Sequence, residues 1–163
     1  MTALLKYDVA CRAIAEARSF DDVRDWEDKA AAVREYARRA NNRTMEIDAL
    51  EIRERARRRR GQLLTELRLA GLLHEGKPKE NVTGQVQLAG RMTLEELNTT
   101  RNESSRDQKL AALDGNSFER LLARCRDYMA EHPEKHTMDV LRAKDGPING
   151  ARSVMGSRIE TRR

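Results

Sequence analysis

The chain has 163 residues, with 32 Lys or Arg against 27 Asp or Glu and a formal net charge of +5. Charged residues make up 36% and aromatics only 4%, which excludes a thick aromatic core and favours helices with narrow apolar stripes. Met1–Leu5 is too short for a signal h-region and no uninterrupted apolar run approaches ~18 residues, so a soluble, cytoplasmic protein without membrane contact is expected.

A first helix is predicted from about Leu4 to Arg18, with Leu5, Val9, Ala13 and Ala17 on one stripe. Ser19 offers an N-cap, and Asp21, Asp22 and Asp25 suit the positive end of the helix that follows. In that second helix Val23, Trp26, Ala30, Val33, Ala37 and Ala40 alternate three and four apart, a heptad spacing. The phase fails at Asn41-Asn42 and resumes one residue late with Met45, Ala49, Ile52 and Ala56, continuing to Leu63, Leu67 and Ala70.

Charge marks the same break. Residues 21–28 and 46–54 are largely acidic, while 34–43 and 53–60 are basic. Folding back at Asn41-Asn42 sets opposite blocks against each other; a continuous helix paired antiparallel with a second copy does the same. A hairpin that also self-associates is the favoured reading, making residues 1–73 a coiled-coil-like homodimerisation region. The apolar stripe of Val23, Trp26, Val33, Ile52, Leu63 and Leu67 exceeds what a short hairpin covers. Arg57, Arg58, Arg59 and Arg60 form the densest positive patch. They either answer the 21–28 acidic block or contact phosphates.

Residues 74–91, with Gly76, Pro78, Gly84 and Gly90, are read as a linker. Beyond it, residues 93–113 have the layout of a helix-turn-helix, in which the second helix enters the DNA major groove. Leu94, Leu97, Leu110 and Leu113 pack inward in this reading, and Asn98 takes the left-handed corner. Arg101, Asn102, Ser104, Ser105, Arg106 and Lys109 are the candidate DNA-binding residues. Arg suits guanine, Asn suits adenine, and Ser and Lys suit phosphate. Thr99 at an aliphatic corner position and Asp107 near expected phosphates count against it.

Leu97-Asn98-Thr99-Thr100-Arg101, Ser104-Ser105-Arg106 and Leu110-Ala111-Ala112-Leu113 resemble the helix-turn-helix of ParB-type partition proteins. The corner Gly of that pattern is Asn98 here. Those strings, with Gln108–Leu113, Ala49–Arg59 and Gly61–Leu64, also resemble phage- and prophage-encoded bacterial proteins that join a charged helical half to a ParB-like helix-turn-helix. The resemblance covers residues 8–143 and implies double-stranded DNA as a partner. Nothing resembles the nucleotide-binding domain of true partition proteins, so neither CTP hydrolysis nor clamp loading is implied.

Asp114-Gly115-Asn116 reads as a turn and Ser117 as the cap of a helix carrying Phe118, Leu121, Leu122, Cys125 and Met129. His132-Pro133 ends it, and Thr137 is the expected cap of a short helix through Leu141. These elements complete a helix-turn-helix domain over 92–144, and 145–163 is read as a disordered basic tail. Cys11 and Cys125 read as small apolar residues with reduced thiols, and His74, His132 and His136 as solvated loop residues. No phosphate loop, triad or metal spacing is present, so neither an enzyme nor a cofactor is expected.

An all-α fold is thus expected, with two functional readings. The first is a DNA-binding regulator or accessory factor of a phage or mobile element, concerned with transcription or a related process. The second is a helical factor that binds a host or phage protein, its helix-turn-helix being structural only.

Overall fold

Local chemistry sets the helix boundaries in the computed structural model, which describes residues 7–74 and 90–144. All six helices found there give an all-α fold. The first, α1 (Tyr7–Glu16), is followed by Ser19, whose hydroxyl accepts the Asp22 amide at 3.1 Å and starts α2 (Phe20–Arg39). At the end of α2, Asn41 takes a left-handed φ of 51°, a conformation Asn tolerates better than most residues. Asn42 then caps α3 (Arg43–Leu69) by accepting the Met45 amide at 3.1 Å. The chain therefore breaks at Asn41-Asn42 and folds back as a hairpin, which excludes the continuous helix.

Glu27 of α2 meets Arg60 at 2.6 Å and Arg57 at 3.7 Å across that hairpin, so one residue of the acidic 21–28 block answers two of the four arginines. The second pairing is not made in the expected way. Arg43 pairs locally with Glu46, Arg38 and Arg39 with Glu35, and Arg34 donates to the His136 carbonyl.

Part of the apolar stripe is covered from within the chain. Ala10, Ile14 and Ala17 of the α1 region pack with Val23, Ala30, Ile52, Ala56 and Leu63 in one buried cluster, with Trp26 half-buried against it. Of the stripe, Val23, Ile52 and Leu63 are thereby buried, while Trp26, Val33 and Leu67 stay partly exposed.

After α3, Leu73 and Met92 form an isolated parallel bridge, with the Met92 amide donating to the Leu72 carbonyl at 2.7 Å. Thr93 and Glu96 cap each other's backbone, but the predicted first helix of the 93–113 unit is only a single turn. Asn98 ends it at φ 49°, and the Arg24 guanidinium of α2 donates to its carbonyl. Thr99 is buried, its hydroxyl donating to the Leu97 carbonyl at 3.0 Å, which is how a polar residue occupies an aliphatic position. Thr100 and Glu103 then form a reciprocal capping box for α4 (Arg101–Ala111).

Two later caps differ from expectation. Asp114, not Ser117, caps α5 (Gly115–Glu131), accepting the Ser117 amide at 2.9 Å. Asp139, not Thr137, accepts the Arg142 amide at 3.2 Å and starts α6 (Val140–Lys144). Ile47 and Leu50 of α3 share a second core with Leu110, Leu113, Phe118, Leu122, Cys125, Met129 and Val140. The two halves are therefore joined through α3, which contributes to both clusters. Most of the predicted 74–91 linker and the whole 145–163 tail lie outside the described residues.

Candidate nucleic-acid interface

The α4 helix presents two chemically different faces. Ser104, Asp107 and Leu110 are buried against α3, while Arg101, Asn102, Ser105 and Lys109 are exposed on the other side. Four of the six candidate residues thus lie together in solvent. Ser104 does not: it is buried and accepts a hydrogen bond from Gln108 Nε2 at 2.8 Å. Arg106 sits at the boundary, its side chain 33% exposed, paired with Asp139 at 3.2 Å and near Glu54 at 3.8 Å.

Asp107 points inward. Its carboxylate meets Arg60 Nε at 2.5 Å and is fully buried, so it brings no negative charge to the exposed face of α4. Burial pushes the Asp107 carboxyl up, and Arg60 and Arg57 partly offset this. Glu27 and Glu54 are likewise raised by burial against the pull of their arginines.

The arginine cluster is engaged in holding helices together. Arg57 pairs with Glu54 at 3.0 Å, and Arg58 donates to the Leu113 carbonyl at 2.9 Å while stacking over Phe118. Arg59 donates to the Ala17 carbonyl at 2.9 Å and also reaches Glu66. Arg60 is buried between Glu27 and Asp107. These contacts favour the helix-holding role of the four arginines over the phosphate one.

A groove of about 490 Å³ runs between the exposed row of α4 and the end of α3, lined among others by Arg68, His74, Arg101, Ser105, Gln108 and Lys109. No carboxylate is among the described residues that line it. Arg68 and His74 were not singled out as binding residues by sequence. They enter because the Leu73–Met92 bridge brings the end of α3 beside α4, a long-range pairing that periodicity does not encode.

Reactive chemistry is sparse among the described residues. Burial pushes the Cys125 thiol up to about 12 and raises that of Cys11 as well. His136 Nδ1 contacts Glu46 at 3.0 Å and His132 contacts Glu134 at 3.3 Å, so neither is a bare loop residue. No group of three or more His, Cys, Asp or Glu among the described residues is placed to hold a metal. None of the described helices is long and apolar enough to cross a membrane.

Comparison with family models, with curated proteins and with solved structures finds no significant match.

Proposed function

We propose that the chain is a DNA-binding regulator or accessory factor that contacts duplex DNA through the exposed row of α4. The observation carrying this reading is the groove whose described lining residues include no carboxylate, and to which Arg101, Ser105 and Lys109 of α4 and Arg68 and His74 beside it all contribute. Cations and hydroxyls without interspersed carboxylates suit a phosphate backbone. Arg101 lies in the first turn of α4, the part of a recognition helix nearest the base edges, with Asn102 exposed next to it. The motif resemblance to phage and prophage proteins supports a role in a phage or mobile element.

Titrating the full chain with duplex DNA across a range of salt tests this. Affinity should fall linearly on a log–log plot, by about 0.9 per phosphate contact. Lys109→Ala should reduce that slope by about 1 for every sequence, whereas loss of a base-reading Arg101 should cost ~1–3 kcal/mol at one position. Salt-independent binding, or none at 50 mM salt on the order used for such assays, ends the reading.

A protein-binding role has one specific observation in its favour. Leu69 and Leu72 at the end of α3 and Met92 beside them are exposed, and Met92 also lines a groove with Phe20, Leu67 and Leu97, rimmed by Arg18, Asp21, Glu66 and Glu96. A duplex affinity unchanged by both Arg101→Ala and Lys109→Ala would favour this second role.

A further inference from the structure

We infer that Asp139 holds Arg106 in reserve at the edge of the α4 surface, so that Arg106 adds a phosphate contact only when that carboxylate is neutralised or outcompeted. The inference rests on the DNA-binding reading and concerns its discrimination between strong and weak sites. Arg106 lies between Asn102 and Lys109 on the helix surface, one turn from each. Both neighbours are exposed. Turned outward, its guanidinium would extend their row; as it stands, it is turned to Asp139 at 3.2 Å and Glu54 at 3.8 Å.

The holding carboxylate is fixed. Met138 and Val140 on either side of Asp139 are buried in the core, and its Oδ1 also caps α6 through the Arg142 amide. The held guanidinium is poorly satisfied. Its Nε is buried without a hydrogen-bond partner among the described residues, and Glu54 Oε2 is in the same state. Glu54 meanwhile receives Arg57 at the closer distance of 3.0 Å. An Arg has five donors in a fork suited to two acceptor oxygens, so a phosphate offers Arg106 more than its present partners do. Asp139 is the acceptor that a phosphate must displace, and it imposes a threshold on weak, sequence-independent contacts.

Asp139→Asn separates the two roles of this residue, because Asn caps a helix about as well as Asp but carries no charge. Asp139→Ser is a second, shorter cap without charge. Duplex titrations of the full chain should give both variants tighter binding, with a log–log salt slope steeper by about 0.9, one added phosphate contact. On a weak, sequence-independent duplex, where Asp139 keeps the guanidinium, Arg106→Ala alone should leave the slope of the original chain unchanged, and adding it to Asp139→Asn should return the slope to its original value. If Asp139→Asn tightens binding and the double variant keeps the gain, Asp139 merely repels DNA and the reserve role is overturned. If the slope is unchanged in Asp139→Asn and Asp139→Ser, with melting profiles like the original, the role is overturned while the DNA reading stands. If the original chain shows no salt-dependent binding sensitive to Arg101→Ala, both fall.

Discussion

Gly61 of α3 lies against the backbone of Asp107 in α4: a Cβ at Gly61 would sit 2.0 Å from the Asp107 carbonyl oxygen. Glycine inside a helix is disfavoured by about 1 kcal/mol relative to alanine, so its presence directly after four arginines calls for a reason. The reason is close approach. Without a side chain at this one position, α3 and α4 touch backbone to backbone, and the exposed row of α4 is set at a fixed height above the hairpin.

Gly61→Ala should therefore destabilise the fold although Ala is the better helix former. The crowding falls on backbone atoms, which do not move aside as a flexible side chain does, and overpacking of this kind costs about 1–3 kcal/mol. A thermal melt should show a midpoint lower by roughly 2–10 °C; an unchanged or raised midpoint would show that the helices shift apart freely.

Asp107→Ala should be more damaging. It leaves the buried Arg60 with Glu27 as its remaining carboxylate partner, and breaking one side of a buried pair costs about 3–5 kcal/mol. The change removes a negative charge from α4, so a surface Asp107 would give stronger DNA binding at full stability. Denaturant titration and duplex binding on the same preparation separate the two cases, and a loss of stability is the expected result.

Acid should weaken the contact between α3 and α5. Hydrogen bonds from Arg55, which reaches both carboxylate oxygens at 2.5 and 2.7 Å, hold the Glu119 carboxyl below its usual value. A lowered native value means stability that is present above the unfolded value of about 4.3 and lost as pH falls through the native one. Glu119→Gln should thus melt earlier than the original chain at pH 7. The gap should close as pH drops below about 4. A gap that stays constant down to pH 2 would mean Arg55 gains nothing from the charge.

Cys125 should resist alkylation in the native state. Its side chain is packed between α3 and α5 residues and its thiol is pushed up to about 12 by burial, so little thiolate exists near pH 8. Mass spectrometry after iodoacetamide treatment should find Cys125 unmodified without denaturant and modified with it. Rapid native labelling would mean that α5 opens locally.

Arg58→Ala and Arg59→Ala should lower stability and leave the DNA salt slope intact, because these side chains hold the Leu113 and Ala17 carbonyls. A reduced slope at unchanged stability would restore the arginine cluster as a phosphate surface.

The elements that sequence revealed are those governed by neighbours in the chain. Ser19 as a cap, the break at Asn41-Asn42 and the left-handed Asn98 corner all follow from side chains acting within three or four residues. Ser117 and Thr137 were misplaced because each competed with a nearby Asp, and backbone geometry alone decided which oxygen met the free amide. The fate of the arginines was harder. Four consecutive residues point all round a helix, and the chain does not announce that α3 is enclosed by α1, α2, α4 and α5. Its Ala49–Ile52–Ala56 stripe was legible, but Ile47 and Leu50 face a second core whose other members come much later in sequence. The ion pair of Arg106 is hidden for the same reason, since Asp139 comes from a distant segment.

That enclosure has a thermodynamic consequence. A helix shared by two cores leaves no half of the chain that can open while the other stays intact, so folding is expected to be one cooperative transition. Slowest amide exchange should fall in the middle of α3, around Leu50 to Leu64, where its residues are buried toward both sides. A ligand seated on α4 would then raise the melting temperature of the hairpin as well, although it never touches it. Occupancy at one surface can be read from the stability of the whole.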